Sequence, residues 1–501
     1  MSVMFCVGDF GADVEPSGWR IAVAELRSKY GEEAVTMLHL SMGPTSDGSL
    51  ASIPLNVDLV SATSAPIREI GPRHLEAFLD YLRSEEFGQV RNLALKLLNR
   101  HDLTGTLRFL DREVVVHATV LSIVEVLIRR APTLVVFPVT PHQFVPFLVE
   151  HVARFLGCQT LFFQPVPICH AVVPRVSVGR KLAIKGASVG DSALREDLVT
   201  TAEENLGALR AGNPPKYMNL QTARELQSEG VMARLKSLGV MAGWLRNKRF
   251  ADSLDFSWNS RSQSMGANAL SVILSHWIQK SLRERINRLE PVVSDRQAPY
   301  AIFALHYEPE RTSIPEGLPI QFQAEAVIAA RRLLPPHVRL LVKEHSSQYS
   351  SSLRGFAGRS PLFYDFLERI DGVVVSPPSA SLTDMVPEAT VVFTLTGTAA
   401  IESVFRGVPV GYFGHPWWEG MPGTIKISDL TSFDDVISTP VSATDAHSFL
   451  VDLVLQQAVP GVAGESLGVA SRRIGSLSPG LVEAEGAAIV AGVEQLTGGN
   501  L

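Results

Sequence analysis

Cysteine is scarce in this chain. Its 501 residues include three cysteines, Cys6, Cys158 and Cys169. They lie too far apart in the sequence for a disulfide framework or a zinc site, so neither is expected to hold the fold together. Scattered thiols fit a reducing compartment, and 46% hydrophobic with 19% charged residues is the composition of a globular protein with ample core material.

An excess of basic charge and a long apolar run are also missing. Lysine and arginine number 45 against 51 acidic residues, a net charge of −6, which argues against broad binding of nucleic acid. The longest apolar stretch, residues 114–128, is interrupted by His117 and Glu125 and is too short to span a membrane. The N-terminus lacks the basic lead and apolar run of a signal peptide. We therefore expect a cytoplasmic protein.

One segment leaves a membrane contact open. A basic amphipathic stretch in the middle third is either a packed helix with a solvated basic face or a surface that rests on anionic lipid or glycan. Its cations are Arg234, Lys236, Arg246, Lys248 and Arg249. The second alternative would place the protein peripherally on the inner face of the cell membrane.

Short β-branched runs alternate with helix-length segments in both outer thirds. This alternation predicts an α/β fold with two doubly wound, Rossmann-like domains. The predicted strands are 4–7, 35–39, 134–137 and 160–163, then 300–305, 338–342, 372–375, 390–395 and 408–412. The predicted domains are 1–179, an N-terminal Rossmann-like domain; 180–290, a helical insertion or cap; 291–460, a C-terminal Rossmann-like domain; and 461–501, a tail with one helix.

A turn near residue 397 is the strongest local signal. Thr396, Gly397 and Thr398 leave a predicted strand and enter a helix. Backbone N–H groups, two hydroxyls and the positive helix end then converge on one point, which favours an anion such as phosphate, although an ordinary strand-to-helix turn is the alternative. Glu402, one turn into the helix, is placed to accept from a ribose hydroxyl or simply favours the helix start.

Four polar loops follow predicted strands of the second domain, so the topology sends them to one rim. They are 306–312, with His306, Glu310 and Arg311; 343–348, with Lys343 and His345; 396–398; and 413–418, with Trp417 and Trp418. A departing nucleotide needs such donors because charge accumulates on its phosphate oxygens. The two tryptophans suit either a structural loop or sugar stacking.

The order LHYEPERT, VKEHSSQ and TGTAAIESVFRGVPVGYFG resembles the bacterial capsule polysaccharide synthesis family, which includes Kdo transferases. Residues 135–170 and 300–425 carry the resemblance. It implies a GT-B-like arrangement of the two domains, with the nucleotide held by the second. It also implies that Lys343 and His345 contact the donor phosphate, that 396–398 wrap it and that Glu402 takes the ribose. His306 and Arg311 complete the predicted donor-binding set.

Two departures from that family are visible. Ser346 stands after His345 where the family usually has proline, and Gln143 follows Pro141 and His142 where an acidic residue is frequent. The second departure removes one candidate general base. We expect the base to be His142, Asp9 or Glu310.

The sequence thus predicts a glycosyltransferase that moves a sugar from a nucleotide-sugar donor, bound by the 291–460 domain, to an acceptor on the side of the 1–179 domain. The resemblance implies a CMP-linked acidic sugar such as Kdo as donor and a bacterial surface polysaccharide or lipid-linked glycan as acceptor. No Asp-x-Asp motif follows a predicted strand, so no metal and no cofactor beyond the nucleotide-sugar substrate is expected. Two alternatives stay open, since one fold serves many functions. One is a nucleotide-sugar epimerase or hydrolase, and the other is a non-catalytic partner in capsule assembly or export.

Overall fold

A computed structural model describes residues 2–7, 18–39, 71–99, 109–184, 192–213, 281–282, 284, 299–308, 310–349, 355, 358–376, 380–428, 430–465 and 467–499. The described residues form two compact units. The first unit contains the described residues up to Leu198 and from Leu455 onward, and the second contains those between Val199 and Val454. Asp9 and the basic amphipathic stretch lie outside the described residues.

The first unit is built on a mixed sheet with the strand order β13-β5-β4-β3-β1-β2, and β6 pairs with β5. Strands β1 to β4 are mutually parallel where they pair, whereas β5 runs antiparallel to β4, β6 and β13. The strands are β1 (Val3–Val7), β2 (Val35–His39), β3 (Leu134–Phe137), β4 (Gln159–Val166), β5 (Ala171–Ser177), β6 (Arg180–Lys181) and β13 (Val459–Pro460).

Helices cover this sheet because their apolar faces need a partner. Trp19 of α1 lies edge-on between Phe5 and Phe163, with ring centroids 5.4 and 6.0 Å away. The helices are α1 (Gly18–Tyr30), α2 (Pro72–Arg83), α3 (Glu85–Leu98), α4 (Phe109–Arg130), α5 (Phe144–Phe155), α13 (Leu467–Arg473) and α14 (Leu481–Thr497). The boundary between the units falls within α6 (Ser192–Arg210), which lies in the segment 180–290 that is predicted to be a helical insertion or cap.

The C-terminal segment belongs to the first unit. The sequence assigns 461–501 to a separate tail, whereas β13 pairs with β5 and α14 packs along α1. Tyr30 donates a hydrogen bond of 2.8 Å to Glu494, and Lys29 forms an ion pair with the same carboxylate. The buried face of α14, which includes Ile489 and Val493, explains this placement because an amphipathic helix is stable only against a core.

The second unit contains a parallel six-stranded sheet with the order β12-β11-β10-β7-β8-β9. Its strands are β7 (Tyr300–Ala304), β8 (Arg339–Lys343), β9 (Val373–Ser376), β10 (Val392–Thr394), β11 (Val410–Tyr412) and β12 (Thr424–Lys426). Its helices are α7 (Gln323–Leu333), α8 (Pro361–Glu368), α9 (Leu382–Met385), α10 (Ala399–Val404), α11 (Phe433–Ile437) and α12 (Ala443–Gln456). The α/β prediction with two doubly wound sheets is confirmed.

Candidate functional site

The second sheet has a topological switch point between β7 and β10. The chain continues from β7 through β8 to β9 on one side, then returns to place β10, β11 and β12 on the other. Ligands of open α/β sheets bind in the crevice outside the carboxyl ends of the strands at such a point. The carboxyl ends of β8, β7 and β10 lead into three of the four loops that the sequence predicts to form a site.

His306 joins the two strands of the switch point. Its Nε2 accepts a hydrogen bond of 3.1 Å from the Thr396 amide and lies 3.1 Å from Thr394 Oγ1. Burial, together with the nearby charges of His345 and Arg359, lowers the pKa of His306 to about 3. The ring is therefore neutral, with Nε2 unprotonated, and it ties the phosphate-type turn to the end of β7.

The turn after β10 is held from within. The Thr396 hydroxyl donates to the Thr312 carbonyl at 2.8 Å, and its amide is engaged by His306. A Cβ on Gly397 would lie 3.0 Å from Thr394 Oγ1 and 3.3 Å from the His306 ring, so glycine permits this close approach. Of the two threonine hydroxyls predicted to wrap a phosphate, that of Thr396 therefore holds the turn together. Thr398 is half-buried, and its side chain makes no capping hydrogen bond to α10.

Glu402 lies in the first turn of α10, as the sequence predicts. It is half-buried, and burial raises the pKa of its carboxyl although Arg406 acts in the opposite direction. The Arg406 guanidinium donates to the Glu402 carbonyl at 2.7 Å. The side chain is available near the turn as a hydrogen-bond acceptor, which is the chemistry that a ribose hydroxyl requires.

The end of β8 brings two nitrogen donors to the same edge. Lys343 is buried, and its Nζ donates to the Glu344 carbonyl at 2.8 Å. Burial lowers the pKa of Lys343, and the carboxylate of Glu344 opposes this shift. His345 accepts a hydrogen bond of 3.2 Å from the Ser347 amide at Nδ1, so the neutral ring carries its proton on Nε2.

The pKa of His345 is lowered by burial, while Glu310 and Glu344 act to raise it. An incoming phosphate would add negative charge and favour the protonated ring in the same way as these carboxylates. Glu310 itself is exposed and accepts from Thr312 Oγ1 at 3.2 Å. Arg311 is already paired with Glu316, with 3.0 Å between Nε and Oε1, so a contact with donor phosphate would compete with that ion pair.

The fourth loop is structural in its aromatic part. Trp417 and Trp418 are buried, and Trp418 packs edge-on against Tyr412 with ring centroids 5.2 Å apart. Buried rings cannot stack on a sugar, so the structural alternative holds for both.

Glu419, in the same region, is paired with cations. Lys426 Nζ lies 2.9 Å from Glu419. Burial would raise the pKa of Glu419, but hydrogen bonds from His415 and Lys426 hold it at about 2.

His142 follows β3, which pairs with β1 at the switch point of the first sheet. Its Nδ1 lies 2.8 Å from the Thr140 carbonyl. Since a carbonyl only accepts, Nδ1 carries the proton and the lone pair lies on Nε2. His142 belongs to the first unit and the donor-side residues to the second.

A buried charged cluster behind the loops is absent from the sequence prediction. Arg359, which precedes α8, bonds to Glu308 and Glu344, and Tyr364 and Gln323 join the same cluster. Glu308 and Glu344 lie inside the predicted loops, but Arg359 and Tyr364 come from a segment without any motif. In the sequence, a single arginine outside any motif is too common a feature to indicate a buried charged cluster.

Among the described residues, no group of three or more His, Cys, Asp or Glu side chains could hold a metal ion. Within the same residues, no helix has both the length and the apolar character needed to cross a membrane.

Comparisons with known proteins give only remote similarity. No protein-family model matches the chain, and no curated protein matches it. Among solved structures, the chain is similar to two KpsC structures from Thermosulfurimonas dismutans. The beta Kdo 2,7 transferase is 18% identical with a TM-score of 0.20. The beta Kdo 2,4 transferase is 12% identical with a TM-score of 0.25. A third similar structure is the UDP-GlcNAc 2-epimerase of Methanocaldococcus jannaschii in complex with UDP-GlcNAc and UDP, which is 11% identical with a TM-score of 0.21.

The coverage differs among these three structures. The match with the 2,7 transferase covers 36% of this chain and 62% of that one, so the chain spans less than two thirds of that relative's length. The match with the 2,4 transferase covers 64% of this chain and 79% of that one. The match with the epimerase covers 91% of this chain and 99% of that one.

Proposed function

We propose that the protein is a glycosyltransferase that takes its sugar from a nucleotide donor held by the second unit. One observation carries the proposal: the predicted phosphate-binding groups occupy the carboxyl ends of adjacent strands at the switch point of the second sheet. Lys343 ends β8 and His345 follows it, His306 follows β7, and the 396–398 turn follows β10. Neighbouring strands lie about 4.8 Å apart, so these groups fit within the span of one nucleotide.

These groups suit the chemistry of a nucleotide leaving group. As the glycosidic bond breaks, negative charge grows on the phosphate oxygens, and fixed donors in a largely buried edge stabilise it. Lys343 Nζ and His345 Nε2 supply N–H donors, and the Thr398 hydroxyl supplies a third. Glu402 accepts from the ribose in this proposal. No step is assigned to a metal ion.

The acceptor hydroxyl needs a base, and His142 fits that role by its tautomer. With the Nδ1 proton directed to Thr140, the lone pair on Nε2 can take up the proton of an attacking hydroxyl. Glu310, in the second unit, is the alternative general base. Its carboxylate acts to raise the pKa of His345. Asp9 remains a proposal from the sequence.

For the substrates, we propose a CMP-linked acidic sugar such as Kdo as donor and a bacterial surface polysaccharide or lipid-linked glycan as acceptor. The loops that resemble the capsule polysaccharide synthesis family support this choice. A lipid-linked acceptor would bring the protein to the inner face of the cell membrane.

A thermal-shift panel of CMP, UDP and GDP tests the proposal first. We expect one nucleotide to raise the melting temperature of the wild type and to lose most of that effect with His345→Ala. Transfer assays with the matching nucleotide-sugar then follow. Turnover of UDP-GlcNAc without an acceptor would instead favour an epimerase, and no stabilisation by any nucleotide would overturn the proposal.

A further inference from the structure

The guanidinium of Arg359 is fully buried, and every one of its N–H groups has an acceptor. Nε donates to Glu344 at 2.7 Å, one terminal nitrogen to Glu308 at 2.7 Å and to the Gly358 carbonyl at 3.0 Å. The other donates to the His306 carbonyl at 3.0 Å and to Glu344 at 3.3 Å. A side chain that is fully engaged and has no solvent exposure cannot contact a ligand directly.

The two carboxylates that Arg359 pairs with lie in different loops. Glu308 follows β7, and Glu344 follows β8. Glu344 also accepts from the Tyr364 hydroxyl at 2.7 Å, so α8 is tied into the same group. Arg359 therefore links the ends of two adjacent strands at the switch point through charge-assisted hydrogen bonds, which are the strong ones in a protein interior.

Two glutamine side chains complete the first of these loops. Gln323 accepts from the His306 amide at 2.8 Å and donates to the His306 carbonyl at 3.2 Å. Gln348 does the same for Glu308, accepting from its amide and donating to its carbonyl, both at 2.9 Å. Each side-chain amide thus pairs with both the backbone N–H and the carbonyl of one residue after β7 and holds that backbone in place.

The cluster reaches the proposed donor-binding groups through the backbone. Glu344 Oε1 accepts from the His345 amide at 2.8 Å, and Arg359 donates to the carbonyl of His306. The positions of both imidazoles are thereby set by groups behind them. A small displacement of a ligand-contacting group can reduce its effect greatly, because hydrogen bonds are directional.

We infer that Arg359, acting with Glu308, Glu344 and Tyr364, is a positioning residue. It aligns His345 and, through His306, the 396–398 turn for the donor phosphate. This inference rests on the proposed function. Buried ion pairs contribute little net stability compared with apolar residues of similar size, so stability alone does not explain this cluster. In this inference the cluster contributes to the affinity for the donor.

Tyr364→Phe and Arg359→Lys test the inference, with Tyr300→Phe as the matched control. The Tyr300 hydroxyl donates to the Met385 carbonyl at 2.7 Å. Tyr300 is the first residue of β7, so its backbone lies at the amino end of the strand, away from the loops at the carboxyl ends. Each Tyr→Phe change removes one hydroxyl and keeps the ring. Binding of CMP, UDP and GDP is measured by calorimetry, together with the melting temperature of each variant.

We expect Tyr364→Phe to weaken the best nucleotide by about tenfold, the scale of losing an orienting partner behind a binding group, and Arg359→Lys to weaken it further. Tyr300→Phe should lower the melting temperature by a similar amount and leave the affinity unchanged. If the folded Tyr364→Phe protein binds like the wild type, the positioning role is overturned and the proposed function stands. If the wild type binds no nucleotide, both are overturned.

Discussion

Both sheets have a topological switch point, but the two units use their buried charges differently. In the second unit, Arg359, Glu308 and Glu344 lie directly behind loops at the carboxyl edge. In the first unit, the buried carboxylate of Glu485 accepts from the amides of Gly18, Val462 and Ala463. The Arg359 cluster supports the proposed donor-binding loops, whereas Glu485 joins α1, α14 and the segment after β13.

The same contrast is visible at two helix starts. Helix α1 begins at Gly18, whose amide is bound by a carboxylate of the protein itself. Helix α10 begins after Thr398 with no side-chain cap. A helix start favours an anion or another hydrogen-bond acceptor, and in the first unit the protein's own Glu485 carboxyl group takes that place. Two sheets of similar architecture are therefore not equally suited to a phosphate.

Removing the arginine should have the largest effect on stability. Arg359→Leu leaves Glu308 and Glu344 buried without their cation, so the free energy of unfolding should fall by about 3–5 kcal/mol. Urea denaturation of the variant and the wild type measures the change. Arg332→Leu, at an exposed site on α7, is the control and should shift it by no more than about 0.5 kcal/mol. Equal losses in the two variants would contradict a central role of the cluster.

His306 should make the second unit sensitive to acid. Its pKa is about 3 in the fold against 6.5 as the ordinary value, so between these values the unfolded chain binds a proton that the folded protein excludes. Stability then falls as pH falls, by about 1.4 kcal/mol per pH unit. His306→Gln keeps an acceptor for Thr396 and lacks this titration. The wild type should therefore lose more stability than the variant from about pH 7 to about pH 4.5. Parallel losses would show that His306 is not buried and neutral.

Glu485 should act in the opposite direction and over a narrower range. Burial raises the pKa of its carboxyl to about 7 from 4.5, despite hydrogen bonds from three amides that lower it. Between these values the folded protein binds a proton that the unfolded chain does not, so stability falls as pH rises. Glu485→Gln removes this dependence. Denaturation at about pH 5 and about pH 8 should show the wild type losing stability relative to the variant as pH rises. A relative gain would contradict the assignment.

Much of the fold could be predicted because β-branched runs mark buried parallel strands. Strands β1, β2 and β3 coincide closely with the predicted 4–7, 35–39 and 134–137. Strand β5 was not predicted, since Pro174 lies within it and cannot donate to the ladder. The two-residue strands β6 and β13 are too short to produce a pattern, and their pairing depends on tertiary contacts.

For the candidate site, loop positions could be predicted but hydrogen-bond partners could not. Lys343 and His345 follow a strand, so topology alone places them at the rim. That Thr396 would bond to Thr312 and His306 depends on contacts between segments far apart in the chain. Arg359 was missed for the same reason, because its partners Glu308 and Glu344 lie 51 and 15 residues away.

Calorimetric titration of two histidine variants shows whether the second unit holds the donor nucleotide. His345→Ala removes a donor at the end of β8, so the affinity for the preferred nucleotide among CMP, UDP and GDP should fall by about tenfold or more. His142→Ala, in the first unit, should leave that affinity unchanged while slowing transfer. Loss of binding in His142→Ala with unchanged binding in His345→Ala would contradict the account.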